Sequence, residues 1–278
     1  SAFEGMSSAD LSALTSEALA GLTTGQLSTL DSAELQALGT DIANLNTAAL
    51  HALTSAQLGA LTTAQIAGLD SADVAALTSS ALTGLHSDQL GALNSSAFEG
   101  MNSADLSALT SEALAGLTSD QVGTLDTSEI QALGTDLANL NTAALHALTS
   151  AQLGALTTAQ IAEFDSTDVA ALTSDSIAGL SSAQVAALSS SAFAALTTAE
   201  LEVLTSAALA GMTAAQVDTL NSVDIQALGT DIANMNTSAM ASLDSVQLAA
   251  LTTAQMAALD SSDITALTSD SIAGLSSA

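Results

Sequence analysis

One pattern of apolar and polar positions runs the length of the chain. In an eight-residue unit lettered a to h, as in Leu61-Thr62-Thr63-Ala64-Gln65-Ile66-Ala67-Gly68, large aliphatic residues stand at a and f. Position a is Leu14, Leu22, Leu30, Leu53, Leu61 and Leu69, while f is Leu19, Leu27, Leu35, Leu58, Ile66 and Val74. Spacings that alternate between five and three residues do not fit a strand, whose faces alternate every residue. One long helix fails as well. At 3.6 residues per turn each octad would advance the aliphatic stripe by roughly 80°, and no lateral partner could follow it. The pattern predicts one short helix per octad, broken near a.

Position b supplies the start signal. It is Ser7, Thr15, Thr23, Asp31, Asn46, Thr54, Thr62 or Asp70, whose side-chain oxygens accept bonds from free first-turn amides, worth about 1 kcal/mol each. Three residues on, e is often Gln26, Gln57, Gln65, Asp73 or Gln89, which completes a capping box, and a with f makes a hydrophobic staple. Small residues at h, such as Gly68, Gly84 and Gly100, suit a left-handed helix end, as do Asn44, Asn139 and Asn234. Helices of about six residues do not stand alone in water. The expected fold is therefore all-α: a solenoid of very short capped helices stacked into an elongated rod with open ends. In this register a and f point inward, Ala at d, g and h lies between neighbours, and c is outermost.

A longer period lies over the octad. Ser1-Ala2-Phe3-Glu4-Gly5-Met6 returns at Ser96-Ala97-Phe98-Glu99-Gly100-Met101, and more loosely at Ser191-Ala192-Phe193. Residues 1–95, 96–190 and 191–278 thus read as three blocks, the last incomplete, of one continuous solenoid without separate domains. Each 95-residue block is eleven octads and one heptad, the heptads being 38–44, 133–139 and 228–234, opened by Leu38, Leu133 and Leu228. Twelve units divide evenly into coils of two, three or four helices, so Gly39, Gly134 and Gly229 are expected along one flank.

Charge narrows the function. The 278 residues hold 29 carboxylates and no Lys or Arg, a formal charge of −29. Such a chain cannot neutralise phosphates or seek anionic lipid, which argues against nucleic acid and membrane surfaces as partners. High charge alone would suggest disorder, but a mean hydropathy of +0.46 with regular aliphatic spacing favours a packed interior. Ser, Thr, Asp or Gln interrupts every apolar run well short of the ~18 residues of a membrane span, so no membrane insertion is expected. Aromatics are 1% of the chain, and Phe3, Phe98, Phe164 and Phe193 all fall at a or f, in the core.

Residues with chemical potential follow the same register. His51 and His146 occupy g one block apart, and His86 takes a cap position; none has a second His or Cys in its unit to complete a metal site. Acidic pairs such as Asp31 and Glu34, Asp70 and Asp73, and Asp165 and Asp168 fall at the N-cap and third helical positions, where the helix dipole favours negative charge. Asp70, Asp73, Asp165 and Asp168 are the candidates for diffuse Ca2+ association, although no loop of the Asp-x-Asp-x-Asp-Gly kind provides the six to eight oxygens of a specific site. There is no Gly-x-Ser-x-Gly elbow, and Gly39-Thr40-Asp41 lacks the Lys of a phosphate loop. No enzyme and no cofactor are expected.

The octad Leu-Thr-Thr-Ala-Gln-Ile-Ala-Gly resembles the Leu-Thr-Thr-x-Gln repeat arrays of very large secreted or surface proteins of Gram-negative bacteria, labelled adhesin-like or haem-utilisation-like. The resemblance spans the whole chain and implies an extracellular or cell-surface setting, with any ligand-binding part outside the array. The expected function is structural, as the body of a filament, sheath or adhesin stalk. Because the chain opens and closes inside a unit, the expected partner is the chain itself or a longer array, with Ca2+ or glycans as accessory partners. The alternative is a binding module that presents a Ser/Thr/Asp face to polysaccharide, ice or mineral.

Overall fold

Each octad folds as its capping signals dictate. The computed structural model describes residues 6–273 and 275; Phe3, expected in the core, lies outside the described residues. Among these residues there is no strand, and the helices are four to six residues long, with most of them starting at c. At Thr62 the hydroxyl accepts the Gln65 amide at 3.2 Å, while Gln65 Oε1 accepts the Thr62 amide at 2.9 Å. That reciprocal pair recurs at Thr23 with Gln26, Thr118 with Gln121, and Thr213 with Gln216.

Helices end differently from the expectation. Gly68 closes its helix at φ −81°, and among the described residues only Gly39, Gly134 and Gly229 have positive φ. Neither the other described h glycines nor Asn44, Asn139 and Asn234 are left-handed. Instead the last turn tightens, with the Gly68 amide bonded to the Gln65 carbonyl and Leu69 to Ile66, and the chain then swings to extended backbone at a, as at Leu77 with ψ 154°. An i→i+3 turn uses the last carbonyls without a left-handed residue.

The heptads lack a b residue, and glycine takes its place. Leu38 stays right-handed, Gly39 turns to φ 58°, and Gly39–Asn44 follows as a 3-10 helix without a side-chain cap. Asn44 instead donates from Nδ2 to the Asp41 carbonyl at 3.1 Å.

Stacking follows a rule of three. Ser55–Gly59 packs on Ser79–Leu82, Thr63–Ala67 on Ser87–Ala92, and Ser166–Ala171 on Ser190–Phe193. Within each unit three helices therefore make one coil, and a helix lies against the third one along the chain. The chain forms two compact units, Ser1–Ala144 and Leu145–Ala278. In the first, one column runs Gly39–Asn44, Thr63–Ala67, Ser87–Ala92, Ser111–Leu114 and Gly134–Asn139, so its two heptads share a side. In the second, Gly229–Asn234 sits between Ser206–Leu209 and Thr253–Ala258.

Inside each unit a and f fill the interior, as Leu61, Ile66, Phe98, Phe164 and Phe193 do. Position e joins them, for Gln65, Gln89, Gln121 and Gln216 are buried. The outermost position is d rather than c: Ala56, Ala64, Asp88 and Glu112 are exposed, whereas Ser55 and Ser87 at c are half-buried. The reason is packing between coils. Position h rests on the c backbone of the preceding coil, Gly84 against the Ser55 carbonyl and Gly116 against that of Ser87. In the last described coil the f side chains are covered from one side only, leaving Ile264 46% and Ile272 44% exposed.

Candidate functional site

The most elaborate polar arrangement is an internal ladder of side-chain amides. Gln121 spends Oε1 on its own N-cap, accepting the Thr118 amide at 2.9 Å, and sends Nε2 into the preceding coil. There it donates to the carbonyls of Leu90 and Leu93, both at 2.8 Å. Gln216 does the same to Val185 and Leu188, and Gln247 to Val217 and Leu220. The receiving carbonyls belong to f and a, at the break between two helices. A backbone carbonyl buried at such a break needs a partner, and the amide provides one. Asn46, a cap without a capping box, reaches Ala20 and Leu22 in the same way at 2.8 Å.

This role of e was not part of the sequence reading, yet a signal was present. A capping box accepts Glu or Gln equally, and a chain whose only charges are acidic nonetheless places Gln at many e positions. Only the amide can bond in both directions.

Acidic e residues cap without donating to the preceding coil; Asp105 instead accepts the Ser79 hydroxyl there at 2.7 Å. Asp73 Oδ2 accepts the Asp70 amide at 3.0 Å, and Asp70 Oδ1 accepts those of Ala72 and Asp73 at 2.8 and 2.9 Å. Asp165 and Asp168 repeat the arrangement. All four are thus placed at helix caps, and among the described residues no three of His, Asp and Glu gather as metal ligands would. Partial burial pushes the Asp73 and Asp168 carboxyls above their ordinary value; the amide bond opposes this, and the neighbouring aspartate adds to it. Exposed Asp10 and Asp126 move down instead, Asp10 through the Ser7 hydroxyl and amide, Asp126 through the Glu129 amide and the Ser128 hydroxyl.

These shifts have opposite consequences for stability. For Asp73 and Asp168 the folded state binds protons first, so their contribution grows as pH falls toward the ordinary value and is lost as pH rises through the folded pKa. For Asp10 and Asp126 the contribution exists above the ordinary value and is lost as pH falls through the folded pKa. Thermal unfolding followed by circular dichroism should therefore show Tm rising on mild acidification from pH 7 and falling again below the carboxylate range. Asp73→Asn with Asp168→Asn keeps the acceptor oxygens and should raise Tm at neutral pH while flattening the rise. An unchanged slope in that double variant would contradict the assignment.

The histidines lie on the surface. His51 and His146 are exposed at g, the latter with Nδ1 3.3 Å from the Ala171 carbonyl. His86 stands at b, with Nδ1 3.5 Å from Glu112 Oε1. No helix among the described residues is long and apolar enough to cross a membrane.

Comparison with curated proteins gives no match. The ALTTAQ repeat matches residues 40–71, 66–102, 98–135, 135–165, 161–198 and 230–261. Its six letters stand in this chain as Ala60-Leu61-Thr62-Thr63-Ala64-Gln65, and again at 155–160 and 250–255. They run from h through e, and so contain the staple, the cap and the amide that locks one coil to the one before. With these matches covering more than half of its length, the chain belongs to the ALTTAQ repeat family.

Proposed function

We propose that the chain is a structural array, the body of an extracellular filament, sheath or surface-adhesin stalk that joins copies of itself. The observation that carries this reading is the commitment of polar side chains to the scaffold. Cap hydroxyls serve their own helices, and buried Gln amides bridge coil to coil, as Gln184 does to Leu153 and Leu156 at 2.8 Å. In a stacked array, stability is roughly a sum of unit and neighbour terms, so length can grow by repetition without a new core. The resemblance to secreted repeat arrays supports the extracellular setting. A surface of one charge sign keeps copies soluble until salt shortens the screening length to about 8 Å at 0.15 M. Electron microscopy of the purified chain across salt concentrations tests the reading. Filaments or laterally ordered assemblies are expected, and dispersed single molecules at every salt concentration would overturn it.

A further inference from the structure

In a chain without Lys or Arg, histidine is the only side chain able to carry positive charge, and one of the three lines a notch. Where Gly59 faces the Gly84 backbone in the next coil, the surface opens into a cavity of about 440 Å3, walled by Ala56, Ala60 and Thr83. His86 forms the rim. With Nδ1 toward Glu112, its Nε2 lies 3.6 Å from where a side chain on Gly59 would begin, and so faces the opening. The notch belongs to the first unit.

The second unit carries a matching projection. Val223 and Val246 occupy d on stacked helices, Ser222–Ala227 and Ser245–Ala249, and are 60% and 64% exposed. Position d in the other octads holds a small residue, Thr or an acid, as at Ala56, Gly25, Thr167 and Asp88. Beside Val246 stands the exposed cap Asp244, which spends Oδ1 on the Gln247 amide at 2.7 Å.

We propose that a second copy of this chain docks here, its Val223 and Val246 seated in the notch of the first and its Asp244 carboxylate against His86 Nε2. This rests on the self-association reading above and gives it a surface. Two pieces of chemistry fit together: aliphatic groups that water disfavours meet a notch lined by small residues, and a carboxylate meets one of the few groups that does not repel it. Projection and notch are different patches, so the contact is heterologous and extends into a chain of copies rather than closing as a dimer.

The test uses substitutions that other octads already carry in the same register, so that the fold survives; unchanged thermal unfolding verifies this. Val223→Asp with Val246→Asp removes the projection, and Ala56→Glu with His86→Asp blocks the notch. In sedimentation velocity at moderate salt the natural chain should form a concentration-dependent series. Either double variant alone should remain a single species, its association weakened at least tenfold, while an equal mixture of the two should stop at dimers. Assembly of both variants like the natural chain would overturn this contact and leave the array reading standing. A mixture that polymerises fully would also overturn it, and a natural chain that never associates would remove both.

Discussion

Replacing Gln121 by Glu should cost about 3 kcal/mol, although the two side chains have the same shape. The substitution keeps the cap, because a carboxylate oxygen accepts the Thr118 amide as well as Oε1 does. It removes both donations to the Leu90 and Leu93 carbonyls, now 2.8 Å away, and sets an oxygen against two oxygens at a fully buried position. Each buried acceptor left without a partner costs roughly 1–3 kcal/mol, and an unpaired buried charge adds to this. The chain contains the reverse experiment. Glu200 occupies e, is buried, and spends Oε2 on the Thr197 amide and hydroxyl at 2.7 and 3.0 Å. Glu200→Gln should therefore stabilise by about 1 kcal/mol, through donation to the carbonyls that the register sets opposite. Denaturant unfolding measures both. Because coils interact with their neighbours only, hydrogen exchange should localise each change to the adjacent coils. Two variants within half a kcal/mol of the natural chain would mean that the ladder is incidental.

The contrast between cap and lock separates what was legible in the sequence from what was not. Caps, boxes and staples involve residues at most four apart, so the letters at b, e, a and f specify them without knowledge of the fold. The lock joins residues 26 to 31 apart, as Gln65 to Gly39 or Gln184 to Leu153, and depends on how many helices make a coil. Octad spacing alone does not set that number. Two, three and four helices per coil all suit a twelve-unit block, and the backbone contact between h and c selects three. The same contact explains why c is partly covered and d is outermost, the reverse of the sequence reading. At the heptad, residue type suits Asn44 to a left-handed turn, but its side chain binds Asp41 and Gly39 takes the turn. The missing cap residue, not the helix end, is where the chain needs unusual backbone. The histidines stand at g and b and the acidic pairs at b and e, positions that register alone fixes. The notch beside His86 was not legible, since its two walls come from different coils.

Gly116→Ala should destabilise by about 3 kcal/mol, whereas Gly123→Ala, seven residues on, should stabilise by up to about 1 kcal/mol. Gly116 stands at h, and a side chain there would run into the carbonyl of Ser87 in the preceding coil. The obstructing atoms are backbone, on a helix that is capped and packed on both sides, so relief requires coils to separate. Overpacking of this kind costs typically 1–3 kcal/mol, occasionally more, and separation would also stretch the two Gln121 bonds one coil edge away. Gly123 lies inside the helix Ser119–Thr124 with nothing within 4 Å of an added Cβ. There the change only removes the conformational entropy that glycine loses in a helix, roughly 1 kcal/mol relative to alanine. The same chemical change thus has opposite signs at Gly123 and Gly116, set by whether the added carbon meets open space or the backbone of the coil below. Paired denaturant melts of the two variants decide it. Equal effects would mean that the close contact between h and c is not what fixes three helices to a coil.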